Sequence, residues 1–130
     1  MNVLMVEPGK APYETQIGDD LRSMQAAVGG YVQAVYPYEE PVALICNEEG
    51  KLNRLPLNRA LRDPDGDIYD IVAGKFFIVG LGQNDFTDLP HDLAEQFAEQ
   101  FRQPEMFMRV DGKIVAAPMS KEQTQDGMAY

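Results

Sequence analysis

Residues 75–82, KFFIVGLG, form the most strand-like run in the chain. Their β-branched and aromatic side chains favour extended structure, and an unbroken apolar run predicts a strand that is buried on both faces. Residues 42–47, VALICN, form a second short apolar run. These two runs predict the central strands of a sheet around which the other elements are arranged.

The residues before these runs predict a hairpin, a helix and a further strand. A Pro–Gly turn cluster separates two short strand-like segments at the start of the chain. Leu21, Met24 and Val28 then recur at helical spacing, and two glycines follow them. The predicted elements are strands at 2–6 and 13–17, a helix over 19–28 that Asp19 caps, and a strand at 31–36.

The segment from residue 44 to residue 80 is predicted to be mainly two turns that join strands of the central sheet. Residues 51–55 are expected to pair back as a hairpin partner of 42–47. Residues 56–63, PLNRALRD, are expected to form a short helical turn or an irregular segment. Residues 64–67, PDGD, have the composition of a turn.

The last part of the chain predicts a second helix and a closing hairpin. Leu93, Phe97 and Phe101 recur every four residues and form an apolar stripe between Pro90 and Pro104. Residues 106–117 contain two strand-like runs around an Asp-Gly turn signal. Because strands and helices do not alternate regularly, the order predicts an α+β fold with a mainly antiparallel sheet and two helices. A β-grasp-like layout is the alternative.

The length of 130 residues fits one domain, which we place at residues 1–117, followed by a polar C-terminal tail at 118–130. The net charge of −10 opposes bulk binding to nucleic acid or to anionic membranes. No apolar run approaches the roughly 20 residues of a membrane span. With one cysteine and no visible signal peptide, the chain is predicted to be cytoplasmic.

Two segments contain candidate binding residues. The first is basic, in an otherwise acidic chain, and its side chains suit a phosphate or the carboxylates of a partner. Pairing with neighbouring acids such as Glu48, Glu49, Asp63 and Asp65 is the alternative. The second is a tyrosine–proline segment at 31–41, which suits an interaction patch. The candidates are Lys51, Arg54, Asn58, Arg59 and Arg62 in the first segment, and Tyr36 and Tyr38 in the second.

An acidic cluster at 63–67 resembles part of a calcium-binding loop. Asp63, Asp65 and Asp67 have the spacing of the first three EF-hand ligands. The loop also needs a glycine at its sixth position and a carboxylate at its twelfth, where this chain has Ile68 and Gly74. A turn is therefore predicted, with a weak cation site as the lesser alternative, and no cofactor is predicted.

Several segments together resemble a known family. They are VEPGK at 6–10, VGGYVQAVYPYEEPVALICNEEGK at 28–51, LPLNRALRD at 55–63, IYDIVAGKFFIVGLG at 68–82 and DLAEQF at 92–97. This combination resembles an uncharacterised bacterial family of conjugative elements and phages that has a domain-of-unknown-function label. The resemblance covers about residues 2–117. It implies a small cytoplasmic accessory protein of mobile DNA and brings no catalytic residues with it.

Three functions follow as hypotheses. The favoured one is a non-enzymatic protein-interaction module whose partner is another protein, since no acid–base, nucleophile or metal constellation is visible. The second is a phosphate- or nucleotide-handling protein that uses the mixed basic and acidic segment 51–70. The third is a DNA-mimic inhibitor, in which ordered carboxylates imitate phosphates. The oligomeric state is not predicted.

Overall fold

The computed structural model describes residues 1–119 and contains ten strands and two helices in that range. The order is β1 (Asn2–Val6), β2 (Tyr13–Gln16), α1 (Leu21–Val28), β3 (Val32–Val35), β4 (Val42–Asn47), β5 (Leu57–Arg62), β6 (Ile68–Ala73), β7 (Phe76–Leu81), β8 (Phe86–Thr87), α2 (His91–Gln100), β9 (Glu105–Val110) and β10 (Lys113–Pro118).

The central sheet has the strand order β2-β1-β7-β4-β3, and β8 pairs with β7 at one end. Its strand pairings are antiparallel, and so are those of the two smaller sheets, β5–β6 and β9–β10. The α+β class with a mainly antiparallel sheet and two helices is therefore confirmed. The opening order of hairpin and helix matches the β-grasp-like alternative. The antiparallel pairing of β1 with β7 does not match it.

Both faces of the central sheet are covered, which explains the unbroken apolar run of β7. Successive side chains of a strand point to opposite faces. Phe77 and Val79 pack with α1 residues on one face. Phe76 and Ile78 pack with α2 and the β5–β6 hairpin on the other. The prediction that 75–82 forms a central strand buried on both faces is confirmed over Phe76–Val79.

The prediction of a helical or irregular segment at 56–63 is wrong over most of its length. Leu57–Arg62 forms β5, which pairs with β6. Leu, Arg and Ala favour helices in isolation, but tertiary pairing overrides that weak preference. The pairing has register shifts between Leu57 and Arg59 and between Leu61 and Arg62. These irregularities explain why no clean alternation marks this strand in the sequence.

The segment 44–80 also does more than join strands of the central sheet. β4 has β3 on one side and β7 on the other, so residues 51–55 have no free edge of β4 to pair with, and residues 51–54 instead form turns. β5 and β6 form a separate two-stranded sheet. Its Leu61 and Val72 pack onto the same core face as α2. The hairpin prediction for 51–55 was therefore wrong.

The ends of the elements differ slightly from expectation. α1 begins at Leu21 with Asp20, rather than Asp19, at the N-cap position, because Asp20 is the extended residue before the first turn. β10 runs through Pro118, and the Met119 amide donates to the Pro104 carbonyl at 2.8 Å. The remainder of the expected tail, 120–130, lies outside the described residues. Neither described helix has the length and apolar character needed to cross a membrane.

Candidate functional site

Arg59 lies inside the protein and not on an exposed basic surface. It is only 1% exposed, and its guanidinium joins three parts of the chain. Its Nε and Nη2 atoms donate to the Phe101 carbonyl at 3.1 and 2.9 Å, and Nη2 also donates to the Lys10 carbonyl at 2.7 Å. Its Nη1 donates to the backbone and side-chain oxygens of Asn58 at 3.3 and 2.9 Å. All five guanidinium hydrogens are thus used within the protein.

Asn58 completes this buried polar cluster. It is 0% exposed, and its Nδ2 donates to the Val6 carbonyl at 3.0 Å and to the Gly74 carbonyl at 2.8 Å. Burial lowers the pKa of Arg59 to about 10, while the nearby Glu105 opposes that shift. Phe101 ends α2, where helix carbonyls lack partners and attract a cation. Asn58 and Arg59 therefore hold β5 against β1 and α2, and they offer no free donor to a ligand.

The other basic candidates lie apart from one another. Lys51 pairs with Asp70 on β6 at 2.5 Å, and Arg62 pairs with Glu105 on β9 at 2.7 Å. Neither Asp70 nor Glu105 is among the acids expected as partners, which were Glu48, Glu49, Asp63 and Asp65. Arg54 is exposed and has a positive φ of 57° in the turn after β4. The basic candidates are therefore separated in the structure. Asn58 and Arg59 form a buried clamp, Lys51 and Arg62 each form an ion pair, and Arg54 lies in a turn.

A recess of about 560 Å³ brings Arg59, Arg62 and Asp63 together beside the end of α2. A phosphate there would meet an arginine with no free hydrogen and a second one already bound to Glu105. Asp65 and Asp67 do not line this recess. The arrangement gives the phosphate- or nucleotide-handling hypothesis little support, because its cations are engaged.

The acidic cluster at 63–67 is a turn stabilised by one of its own carboxylates. Asp63 accepts the backbone amides of Asp65 and Asp67 at 3.0 and 2.9 Å through the same oxygen. Gly66 has a φ of +89°, which only glycine adopts without strain. Within residues 1–119, no three Cys, His, Asp or Glu side chains are placed to hold a metal ion.

The tyrosine–proline segment contains one packed and one open tyrosine. The ring of Tyr38 lies 4.8 Å from the ring of Phe97 on α2, and its hydroxyl is 3.5 Å from the Gln100 amide nitrogen. Burial raises the pKa of Tyr38. Tyr36 is 60% exposed and Tyr31, before β3, is 66% exposed. These two open tyrosines lie on either side of the strand Val32–Val35.

β3 is an outer strand of the central sheet, and its outward backbone groups are open. The Glu48 amide donates to the Tyr31 carbonyl at 2.8 Å, which makes these two residues a hydrogen-bonded pair. Along an antiparallel ladder, such pairs alternate with pairs that exchange no hydrogen bonds. Val32 and Ala34 therefore direct their backbone groups away from β4. In the part of the chain that the structure describes, no strand pairs with that side of β3.

β3 also differs from the other outer strands in charge. Proteins commonly protect outer strands from unwanted pairing with charged residues. Among the described strands that end a sheet, every other one longer than two residues contains at least one charge. These charges are Glu14 on β2, Arg59 and Arg62 on β5, Asp70 on β6, Glu105 and Arg109 on β9, and Lys113 on β10.

The comparison with protein families covers most of this structure. The sequence model of a family described as a domain of unknown function, DUF3846, matches residues 1–102. The chain belongs to the DUF3846 family. That description assigns no activity, and the comparisons with curated proteins and with solved structures give no match. The expected resemblance to an uncharacterised family is confirmed over residues 1–102, a shorter range than 2–117.

The match to DUF3846 includes the open strand and the buried clamp, whereas the β9–β10 hairpin lies beyond it. Tyr36 and Tyr38 are binding candidates predicted from the sequence, whereas the strand predicted at 31–36 is not among those candidates. One signal for it was present. Residues 23–38 contain no charged side chain, in a chain of which 25% is charged.

A second recess, of about 330 Å³, opens beside β3 on the face opposite α1. Gln33 and Val35 line one side of it, and Leu61 and Val72 of the β5–β6 hairpin line another. The Lys51–Asp70 ion pair also borders it, as does Cys46. Burial raises the pKa of the Cys46 thiol, which disfavours the nucleophilic thiolate.

His91 is a surface ion-pair partner of two carboxylates. Its Nδ1 lies 3.1 Å from Glu14 and its Nε2 lies 2.9 Å from Glu95. The hydrogen bond to Glu14, followed by the charges of Glu14 and Glu95, raises the pKa of His91 above its ordinary 6.5. The raised pKa favours the folded state below the ordinary value, and this contribution is lost as the pH rises through the raised pKa.

We expect a single imidazole titration in the NMR spectrum, because His91 is the only histidine in the chain. Its midpoint should lie above 6.5. In a Glu14→Gln, Glu95→Gln double variant the midpoint should return towards the ordinary value, and a Glu99→Gln variant serves as the control. A midpoint at or below 6.5 in the unaltered protein would contradict the ion-pair geometry.

Proposed function

We propose that the protein is a non-enzymatic interaction module that binds an extended segment of another protein along β3. The observation that carries this proposal is an open, uncharged outer strand in the central sheet. An added strand would form backbone hydrogen bonds with Val32 and Ala34, which supply affinity, while side-chain recesses supply specificity. The exposed rings of Tyr31 and Tyr36 would cover its two ends.

The central sheet suits this role because it is a rigid support. β4 lies directly beside β3, and all six of its residues are buried. β7 lies beyond β4, and its residues from Phe76 to Gly80 are buried. A strand that joins β3 would therefore extend a fixed template, which limits the conformational entropy lost on binding.

The DNA-mimic hypothesis has one point in its favour. Asp92, Glu95 and Glu99 recur at helical spacing on α2, which places them along one side of the helix. His91 pairs with Glu95 at 2.9 Å and Arg102 pairs with Glu99 at 3.5 Å. Since two of the three carboxylates already have cationic neighbours, this row supports the hypothesis less well than the open strand supports an interaction module.

We also propose, from the family resemblance, that the protein is a cytoplasmic accessory protein of a mobile element. In that setting a small module with an open strand would act by occupying or recruiting another protein. Fractionation of cells that carry the element, with detection of the untagged chain, tests the location. Recovery outside the cytoplasm would contradict this part of the proposal.

Photo-cross-linking in the producing cells tests the binding surface. A benzophenone side chain at Tyr31 or Tyr36 should give a discrete cross-linked protein product. The same side chain at Tyr13, on the opposite outer strand of the same sheet, should give none. Tyr13 is a fair control because it is also well exposed, at 43%. Equal products from all three positions would contradict the proposal.

An Ala34→Pro variant makes the test specific for backbone pairing. Proline removes an outward amide but leaves the bonds to β4 intact, so an outer strand tolerates it. The cross-links from Tyr31 and Tyr36 should then disappear while the melting temperature stays close to that of the unaltered chain. Gln16→Pro is the matched control on β2. The Ile17 amide donates to the Met1 carbonyl, so the backbone amide of the preceding residue, Gln16, points away from β1.

A further inference from the structure

We infer that the segment bound at β3 has basic residues at both ends and apolar side chains between them. This inference rests on the proposed function and names the chemistry of the partner. It follows from three features around the strand: an acidic pair at each end, a recess lined by Tyr31 and Glu49 at the start, and a recess partly lined by aliphatic side chains beside the middle.

Each end of β3 lies next to two glutamates. Glu39 and Glu40 follow the strand by a few residues, and Gln96 of α2 donates to the Glu40 carboxylate at 2.7 Å, which holds it in place. Glu48 and Glu49 lie at the other end, because Glu48 pairs with Tyr31 through its backbone. Both Glu48 and Glu49 are exposed. An uncharged strand between two acidic ends is complementary to an apolar segment between two basic ends.

The starting end also has a recess that suits a cation. Its volume is about 330 Å³, and Tyr31, Glu49 and Asn53 are among the residues that line it. A carboxylate and an aromatic face are the two groups that a lysine or arginine side chain prefers. Lys51 of the same loop is already paired with Asp70, and Arg54 does not line the recess. Within residues 1–119 the Glu49 carboxylate has no ion-pair partner, so we expect an incoming basic side chain to contact it.

The middle of the strand favours apolar side chains. Alternate side chains of an added strand would lie on the same face as Gln33 and Val35. On that face they would meet the second recess, where Val35, Leu61 and Val72 provide aliphatic lining beside the Lys51–Asp70 ion pair. Its volume of about 330 Å³ is at the lower end of the range for small-molecule sites, and it suits one or two aliphatic side chains.

The same charges oppose a second copy of this chain as the occupant. A symmetric antiparallel pairing of two β3 strands places the start of one strand beside the end of the other. Glu48 and Glu49 of one copy would then face Glu39 and Glu40 of the other. Like charges placed opposite each other weaken strand pairing. The acidic ends therefore favour a basic partner over self-association.

Selection from a displayed library of random nine-residue peptides tests the inference on the full chain. We expect peptides with Lys or Arg near both ends and alternating aliphatic residues between them. Their binding should weaken at high salt, because surface charges are screened. Binding should also be lost in the Ala34→Pro variant and kept in the Gln16→Pro variant. In a Glu39→Lys, Glu49→Lys double variant the preference for basic ends should be lost, with at least about tenfold weaker binding of the original peptides.

The outcomes separate the two proposals. Peptides that require an unaltered Ala34 but show no basic preference overturn the inference and leave the proposed function standing. If no enriched peptide depends on Ala34, both are overturned. Sedimentation of the unaltered chain supplies a further check. A concentration-dependent dimer that Ala34→Pro abolishes would overturn the basic-partner inference in favour of a second copy.

Discussion

An Arg59→Met variant is expected to lose about 3–5 kcal/mol of unfolding free energy in urea. Methionine fills similar space but has no hydrogen to donate. The Phe101 carbonyl and the side-chain oxygen of Asn58 would lose their guanidinium donors in a buried site, and the Lys10 carbonyl would lose its donor in a partly buried one. Leaving buried acceptors without partners costs about 1–3 kcal/mol for each group. A loss of this size is a large share of the stability of a typical domain.

Arg62→Met is the matched control for Arg59→Met. Arg62 lies on the same strand, but its side chain is 42% exposed in its ion pair with Glu105, so the expected loss is about 1 kcal/mol. Arg59→Lys should fall close to Arg59→Met, because one ammonium has three hydrogens and cannot reach all the acceptors of the guanidinium. Equal losses for Arg59→Met and Arg62→Met would contradict the buried clamp.

A Phe97→Ala variant is expected to lose about 3–5 kcal/mol of unfolding free energy. Phe97 is 1% exposed and lies between α2 and the central sheet, where Tyr38 packs against it at 4.8 Å. Removing the ring leaves a cavity and takes away an aromatic contact. We expect the urea transition to move to lower concentration with an unchanged slope, because the same surface is exposed on unfolding.

Leu93→Ala is the control for Phe97→Ala on the same helical stripe. Leu93 is only partly buried and packs at the margin of the core. Its loss should be about 1–2 kcal/mol, below the usual range for a fully buried leucine. Equal losses of unfolding free energy for Leu93→Ala and Phe97→Ala would contradict the difference in burial between these two residues.

The elements with strong periodicity were predictable from the sequence. The apolar run at 75–82 predicted the central strand, and the spacing of Leu93, Phe97 and Phe101 predicted the buried side of α2. In both cases the pattern is set by burial along a regular element, which a local sequence window records directly. The Asp-Gly turn likewise predicted the β9–β10 hairpin, because its geometry depends on the turn residues themselves.

The candidate site was less predictable, because it depends on which side chains become buried. Arg59 and Arg62 are three residues apart and look equivalent in the sequence. One is enclosed by carbonyls from Lys10 and Phe101, residues far away along the chain, while the other stays at the surface. The open side of β3 is a similar case, since a strand is an outer strand only through the arrangement of its neighbours.

The sequence by itself determined the α+β class, the central strand, the two helices and the acidic charge, because these depend on local pattern and composition. Only the tertiary structure decided that Arg59 is a buried clamp, that residues 57–62 form a strand, and that β3 has an open uncharged side. Each of these depends on contacts between residues distant in the chain, where hydrogen-bond satisfaction and strand pairing outweigh local preference.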